Sequence, residues 1–205
     1  YIAFIKKFFS ILIKKIIYII YNIMNKNLKI NNNLEIGKPS NWITNNLKGH
    51  IGGLTLLDIA CGGGRHSIYA ASKGYKVISL DISKEKILNF KSIKSIYPIQ
   101  IDIEASNVWP FKYKTFDAVI VTNYLYRPIF KNIINSIKLG GILLYETFSI
   151  ENSIFGKPNN PKYLLKPQEL LNLAKKNNME IINYEEIISQ SPIKKALQRI
   201  HTRIR

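Results

Sequence analysis

One stretch of this sequence decides the fold, Leu56-Leu57-Asp58-Ile59-Ala60-Cys61-Gly62-Gly63-Gly64-Arg65-His66-Ser67. Its apolar run predicts a β-strand with an acid near its end, and a glycine-rich turn follows at once. Residues 65–73 after the turn can form a helix. A strand, a glycine turn and a helix N-terminus leave bare backbone and free N–H groups, an arrangement that binds nucleotide-like cofactors in open α/β sheets.

The spacing of the glycines narrows the choice of cofactor. A dinucleotide-binding turn reads G-x-G-x-x-G, and Gly62 and Gly64 fit it, but Ser67 stands at the third glycine position. The G-x-x-x-x-G-K-[ST] pattern of a phosphate-binding loop does not follow. The stretch reads D-x-A-C-G-x-G instead, and an acid at Asp58 suits an ammonium group better than a pyrophosphate. It resembles the first motif of the class I S-adenosylmethionine (SAM) dependent methyltransferases.

This resemblance covers about residues 39–205 and implies that SAM is held at the ends of three strands. Asp81 ends a second apolar run, where a carboxylate can accept both ribose hydroxyls. Asp102 ends a third, where the family has an acid that accepts from the adenine amine while the next backbone N–H meets a ring nitrogen. Each acid alone also fits a helix N-cap or a solvated turn. The predicted cofactor-binding residues are Asp58, Ala60, Cys61, Gly62, Gly64, Arg65, Asp81, Ile82, Asp102, Ile103 and Asn123.

Candidate residues for the methyl acceptor follow from the same resemblance. Asn123 and Tyr124 come after the fourth predicted strand and are expected to flank the sulfonium and its methyl group. Their loop is not the N-P-P-[YF] signature of enzymes that methylate amino groups of nucleic acids, which disfavours DNA or glutamine as the acceptor. Further candidates, each of which could equally pack, cap or lie in solvent, are His66, Tyr126, Arg127 and Glu146. No catalytic base and no metal site are assigned.

Apolar runs alternate with helical patterns through most of the chain. The predicted strands are 55–59, 76–80, 99–103, 116–122 and 142–147, and the predicted helices are 40–48, 65–73, 83–95 and 129–138. The last of these helices is expected to end at Gly140-Gly141. Strand–helix alternation predicts a parallel sheet with helices on both faces.

The end of the chain has a different pattern. Residues 166–176 predict a helix, and 180–189 and 196–203 predict strands whose link is too short for a crossover helix, so they should form an antiparallel hairpin. The predicted fold class is therefore α/β, a Rossmann-like, doubly wound, mostly parallel seven-stranded sheet ending in that hairpin. The loop-like residues 146–167, rich in aromatics and prolines, predict an ordered lid.

Composition bounds the class of protein. A length of 205 residues suits one domain with a sizeable core. The net charge of +17 could indicate RNA as a partner, but Ile, Lys, Asn and Tyr all have A/T-rich codons, and such bias raises the lysine content without a partner. The single cysteine excludes a disulfide framework and a Cys-rich zinc site, and it is consistent with a cytoplasmic protein.

The first residues form a doubtful extension. Residues 1–23 are mostly Ile, Phe, Tyr and Lys, and their lysines interrupt the apolar run too often for a spanning helix of roughly 20 apolar residues. The favoured interpretation is upstream A/T-rich DNA translated ahead of a start at Met24; a basic surface helix and a signal-like segment are the alternatives. The predicted domains are this extension at 1–23, a lead-in at 24–54 and a SAM-binding domain at 55–205.

The predicted function is a SAM-dependent methyltransferase of the bacterial tellurite-resistance type with a small-molecule acceptor. The first alternative is an RNA methyltransferase, which would gather positive charge near the cofactor, at Lys112, Lys114, Arg127, Lys157 and Lys162; we expect a dispersed charge instead. The second is a non-catalytic binding subunit with the same fold. An NAD-dependent oxidoreductase is disfavoured by Asp58 and Ser67.

Overall fold

The computed structural model describes residues 36–105, 109–190 and 193–205. The predicted extension at 1–23, and the lead-in as far as residue 35, lie outside the described residues. The lead-in from Ser40 onward packs on the sheet, because Trp42 and Ile43 of its helix are buried in the core.

A seven-stranded sheet in the order β3-β2-β1-β4-β5-β7-β6 forms the centre of the described chain. The strands are β1 (Thr55–Ile59), β2 (Lys76–Asp81), β3 (Ile96–Gln100), β4 (Phe116–Thr122), β5 (Ile137–Phe148), β6 (Glu180–Ser189) and β7 (Lys195–Arg203). The first five pair in parallel, whereas β7 pairs antiparallel with both β5 and β6. The predicted sheet with its terminal hairpin is confirmed.

Five α-helices accompany the strands in the described residues. They are α1 (Asn41–Asn46), α2 (Arg65–Ser72), α3 (Lys84–Leu88), α4 (Phe130–Ser136) and α5 (Glu169–Lys176). Ser40 caps α1 as expected, since its side chain accepts a hydrogen bond from the Trp42 N–H. Two clusters of buried apolar side chains line the sheet. None of the described helices is long and apolar enough to cross a bilayer.

Three predicted boundaries are wrong, and pairing within the sheet explains the first and the last of them. β3 occupies 96–100 rather than 99–103, since an edge strand tolerates Pro98. The helix predicted at 83–95 ends at Leu88. Gly140-Gly141 does not stop a helix: α4 ends at Ser136, and both glycines lie in β5, where their backbones exchange hydrogen bonds with Ile204.

Between β5 and α5 runs an insertion, residues 149–168, that contains two short 3-10 turns, Ile150–Ile154 and Pro161–Tyr163. It joins the sheet through the Leu165 N–H, which donates to the Phe148 carbonyl of β5, and its two ends are joined to each other because the Ile150 N–H donates to the Leu165 carbonyl. The predicted lid is therefore an ordered segment, and it lies at the end of β5 where the parallel strands present their carboxyl ends.

Candidate functional site

The glycine turn between β1 and α2 has the backbone that its sequence predicted. Gly62 has a φ of +55° and Gly64 a φ of +80°, a region that favours glycine. A Cβ on Gly64 would lie 2.5 Å from the ring of Phe90, so this glycine lets α2 pack closely. A Cβ on Gly62 would meet no atom within 4 Å. The Gly62 backbone therefore faces open space where a ligand can approach it.

Asp58 lies at the end of β1, beneath this turn. Its Oδ2 accepts a hydrogen bond from the Ser67 hydroxyl at 2.6 Å, and the Ser79 hydroxyl donates in turn to Ser67 at 2.7 Å. Its Oδ1 is buried and has no hydrogen-bond partner among the described residues. Burial raises the pKa of Asp58 to about 7. A buried carboxyl with one unpartnered oxygen favours a cation beside it.

Asp81 connects the end of β2 to the same turn. Its Oδ2 accepts from the Gly62 N–H at 2.7 Å, and its Oδ1 accepts from the Ser83 N–H at 2.9 Å. Each carboxylate oxygen has a second acceptor position, so both can still accept a hydroxyl from a ligand. Asp81 therefore holds the turn in place and also presents its carboxylate to the space outside.

A cavity of about 330 Å³ opens beside these carboxylates, and we call it the Asp81 cavity. Its lining combines ends of β1 and β2 with the segment after β3: Ala60, Leu80, Asp81, Ile82, Ile101, Asp102, Ile103, Glu104 and Tyr124. Asp102 here uses its Oδ1 to accept from the backbone N–H groups of Glu104 and Ala105. The structure thus brings together five predicted cofactor residues, Ala60, Asp81, Ile82, Asp102 and Ile103.

A second cavity has a volume of about 300 Å³, and we call it the Thr147 cavity. It is formed by Glu104, Asn123, Tyr124, Leu125, Thr147, Phe148, Pro158 and Tyr163. Asn123 was predicted to bind the cofactor, and the structure places it here, with a φ of +53°. Tyr124, predicted to contact the acceptor, lines both cavities.

Glu104 and Tyr124 form the shared wall of the two cavities. The Tyr124 hydroxyl donates to Glu104 Oε1 at 3.1 Å, and the Tyr126 hydroxyl donates to the Glu104 carbonyl at 3.3 Å. Burial, and then the neighbouring carboxylate, raise the pKa of Tyr124 above its usual range, so its phenol stays protonated. Tyr126 therefore holds the Glu104 backbone, while Tyr124 orients its carboxylate.

Arg127, a predicted acceptor residue, holds the insertion instead. Its guanidinium donates to both carboxylate oxygens of Glu169, at 2.6 and 2.8 Å, and to the carbonyls of Lys162 and Leu164 at 3.0 and 2.9 Å. The hydrogen bonds to Glu169 raise the pKa of Arg127 further. The charge and the N–H donors of Arg127 are therefore bound by groups of the protein itself.

Two other predicted acceptor residues are buried outside the linings of both cavities. Glu146 is 2% exposed and accepts from Arg199 Nε at 2.5 Å across the β5–β7 pair. His66 is 1% exposed; its Nε2 accepts from the Ser40 N–H at 3.0 Å, and its Nδ1 lies 3.1 Å from the Thr122 hydroxyl. Burial lowers the pKa of His66 to about 3. Both side chains have protein partners in the structure.

The remaining predicted cofactor residues lie on the turn and at the start of α2. Cys61 is a buried free thiol, and burial raises its pKa above the usual range. Its backbone N–H donates to the Leu80 carbonyl at 2.8 Å. The Arg65 guanidinium donates to the Lys38 carbonyl at 3.2 Å. These contacts anchor the turn to β2 and to the lead-in.

Sequence reasoning did not single out Glu104, Thr147 or Tyr163 as site residues. Glu104 stands two residues after Asp102, and Thr147 follows Glu146 at the end of β5, so both come directly after predicted site residues. Their position near the carboxyl ends of strands was the available signal. Among the described residues, no group of three or more His, Cys, Asp or Glu could hold a metal ion.

Comparisons with known proteins agree with this geometry. Residues 56–141 match the family model described as a methyltransferase domain. A protein of Bacillus subtilis (strain 168), "Putative methyltransferase YqeM", is 34% identical over 106 residues. That match covers 46% of this chain and 42% of the relative, so the chain spans less than half the length of this curated protein.

Solved structures with the same fold include TehB from Haemophilus influenzae, with a TM-score of 0.62 and 24% identity over 76% of this chain and 59% of that chain. A SAM-dependent methyltransferase from Methanosarcina mazei has a TM-score of 0.61 and 19% identity over 82% and 99% of the two chains. Geranyl diphosphate C-methyltransferase from Streptomyces coelicolor A3(2), solved with S-adenosyl-L-homocysteine, has a TM-score of 0.61 and 12% identity over 79% and 75%. These likenesses confirm the predicted fold class, and SAM as the predicted cofactor agrees with them.

Proposed function

We propose that this chain is a class I SAM-dependent methyltransferase, as its fold and the match of residues 56–141 to a methyltransferase domain support, and that it transfers the methyl group of SAM to a small-molecule acceptor. One observation carries the proposal: the Asp81 cavity and the Thr147 cavity lie side by side and share Glu104 and Tyr124. A methyl transfer needs two such sites in contact, because the nucleophile must approach the methyl carbon in line with the bond that breaks.

Residues of the Asp81 cavity, together with Asp58 and Gly62 at the neighbouring glycine turn, fit SAM. Gly62 presents bare backbone, which allows a ligand to lie against the turn. Asp81 can accept the ribose hydroxyls, and Asp102 with the Ile103 N–H can bind the adenine edge. The unpartnered Oδ1 of Asp58 favours the ammonium of the methionine part above the turn. The acids and the backbone thus match a ligand with hydroxyls at one place and a positive charge at another.

The cofactor would supply a methyl group already activated on a sulfonium, so little covalent chemistry is left to the protein. What this chain would supply is position and a dry site. Leu125 and Phe148 contribute apolar surface on the acceptor side, and Pro158 and Tyr163 of the insertion add to it. Arg127 keeps the insertion in place through its bonds to Glu169 and to the carbonyls of Lys162 and Leu164.

A small acceptor is supported over RNA by where the basic residues lie. Lys112 and Lys114 precede β4, so they lie at the edge of the sheet opposite to the carboxyl ends of the strands. Arg127 is paired with Glu169. An RNA methyltransferase would gather five basic residues near the cofactor. Of these, only Lys157 and Lys162 lie on the insertion and are neither at the opposite edge of the sheet nor paired with Glu169. A volume of about 300 Å³ also suits a small ligand.

The proposal extends to a bacterial small-molecule enzyme of the tellurite-resistance type, supported by the likeness to TehB, and to a cytoplasmic location. The support for the location is the one cysteine of the sequence, Cys61, which is a free thiol.

A thermal-shift panel of SAM, S-adenosylhomocysteine and NAD tests the cofactor. SAM and S-adenosylhomocysteine should raise the melting temperature, because a ligand that binds only the folded state stabilises it, and NAD should not. Transfer of a labelled methyl group to small molecules then tests the activity. Binding of SAM without transfer to any acceptor class would favour the non-catalytic alternative.

A filter-binding assay tests the RNA alternative. We expect weak, unspecific binding. Submicromolar affinity at physiological salt, with the steep salt dependence that phosphate counterion release produces, would overturn the small-molecule proposal.

A further inference from the structure

Resting on the proposed methyltransferase function, we infer that the acceptor is a small, uncharged, largely apolar molecule whose nucleophile is a hydroxyl or an aromatic amine. Thr147 binds a polar group of this acceptor, and Glu104 takes the proton of its nucleophile. The inference identifies a class of substrate and assigns two residues to it.

The size and lining of the Thr147 cavity indicate an apolar acceptor. Its volume of about 300 Å³ lies at the low end of the range for small-molecule sites. Apolar or aromatic surface comes from Leu125 in the loop after β4, from Phe148 of β5, and from Pro158 and Tyr163 of the insertion. A flat hydrocarbon body can pack against these side chains.

The charges at the Thr147 cavity disfavour an anionic acceptor. None of the eight described residues that line it is Lys or Arg, and one of them, Glu104, is an acid. The guanidinium of Arg127, which holds the insertion, is bound to Glu169. Although the chain has a net charge of +17, the charged side chain that lines the acceptor cavity is an acid. Its carboxylate repels oxyanions and thiolates.

Thr147 has an unused hydroxyl in this apolar lining. The residue is 1% exposed, and its Oγ1 has no hydrogen-bond partner among the described residues. A buried hydroxyl without a partner is destabilising, so such groups are rare unless a ligand or water binds them. An acceptor with one polar group would satisfy it.

Glu104 has the position of a general base. Its carboxylate lines both cavities, and it is oriented by the Tyr124 hydroxyl at Oε1. In the proposed step, the acceptor oxygen or nitrogen forms a bond to the methyl carbon while the carbon–sulfur bond breaks and its electron pair stays on sulfur. The proton of the nucleophile passes to Glu104. S-adenosylhomocysteine and the methylated acceptor are the products.

The binding test uses protein saturated with S-adenosylhomocysteine and compares catechol and aniline with selenite and 2-mercaptoethanol by calorimetry. Catechol or aniline should bind at millimolar concentration or better, and selenite should not. Thr147→Val, which keeps the size of the side chain, should weaken that binding about tenfold, as expected for the loss of one hydrogen bond, and Thr147→Ser should restore it. Affinity for S-adenosylhomocysteine should be the same in all three proteins.

The kinetic test follows the transfer of labelled methyl to the neutral probe that binds best. Glu104→Gln should lower kcat about 100-fold while KM for SAM changes little, because general-base catalysis contributes roughly 10²–10⁴-fold. A kcat in Glu104→Gln equal to that of the wild type would show that Glu104 is not the base.

The outcomes separate the two proposals. Failure of S-adenosylhomocysteine to bind would overturn the proposed function itself. Binding of S-adenosylhomocysteine together with methylation of selenite or the thiol, or with no binding of any neutral probe at millimolar concentration, would overturn only this inference.

Discussion

Arg127 and Glu169 form a two-pronged ion pair, with nitrogen–oxygen distances of 2.6 and 2.8 Å, although 42 positions separate them in the chain. The pair fixes the residues after β4 to the start of α5. Because the same guanidinium also donates to the Lys162 and Leu164 carbonyls, one side chain sets the position of the insertion that covers the Thr147 cavity.

Arg127→Gln should loosen this insertion while leaving the Asp81 cavity intact. We expect faster trypsin cleavage after Lys162 and a loss of about 1 kcal/mol in unfolding free energy, kept small because the arginine is 35% exposed. Arg127→Lys keeps the charge but loses the planar guanidinium that binds both oxygens of Glu169. Its rate of proteolysis and its stability should therefore lie between those of the wild type and of Arg127→Gln. Unchanged proteolysis in Arg127→Gln would show that the insertion is held by other contacts.

Asp81→Ala should weaken SAM binding by about 1.5–3 kcal/mol, measured by calorimetry. The carboxylate is expected to accept from the ribose, and it also holds the Gly62 N–H at 2.7 Å, so its removal affects both the ligand and the turn. Glu85→Ala is a matched control, because Glu85 is an exposed acid on α3 that lines neither cavity. Equal SAM affinity in the two variants would contradict the assignment of Asp81.

The local features of the site could be predicted from the sequence because neighbouring residues encode them. The strand, glycine turn and helix around Gly62 form one continuous stretch, and Asp81 and Asp102 are recognisable as acids that follow apolar runs. The short link before β7 excludes a crossover helix. Each of these conclusions depends on residues that lie within about ten positions of one another. Their spacing can be read directly from a single sequence.

Contacts between distant segments could not be predicted in this way. Glu146 was predicted to contact the acceptor, and the register of β5 and β7 gives it a partner, Arg199, directly opposite. His66 was predicted in the same way, and its two ring nitrogens lie beside Ser40 and Thr122. The partner of a polar side chain depends on tertiary packing, and neither helical periodicity nor strand alternation records it.

SAM binding should release protons near neutral pH. Burial raises the pKa of Asp58 to about 7, so the carboxyl is partly protonated there without ligand. A ligand ammonium near it favours the carboxylate and lowers that pKa, so protons leave on binding and SAM affinity rises as pH increases through 7. Calorimetry in buffers with different ionisation enthalpies measures the release. Asp58→Asn should abolish it, and a wild-type enthalpy that is independent of the buffer would contradict the assignment.

The free energy of unfolding should decrease in acid because of His66. Burial lowers the pKa of this histidine from 6.5 to about 3, so between these values the unfolded chain binds a proton that the folded chain does not. The contribution of His66 is thus complete above pH 6.5 and is lost progressively as the pH falls toward 3. Urea unfolding of the wild type and of His66→Gln across this pH range measures the contribution. The difference between their free energies of unfolding cancels the titration of the groups that both proteins share. The stability difference between the wild type and His66→Gln should shrink as the pH falls. A difference for His66→Gln that stays constant from pH 7 to pH 4 would show that this ring is not held neutral in the folded protein.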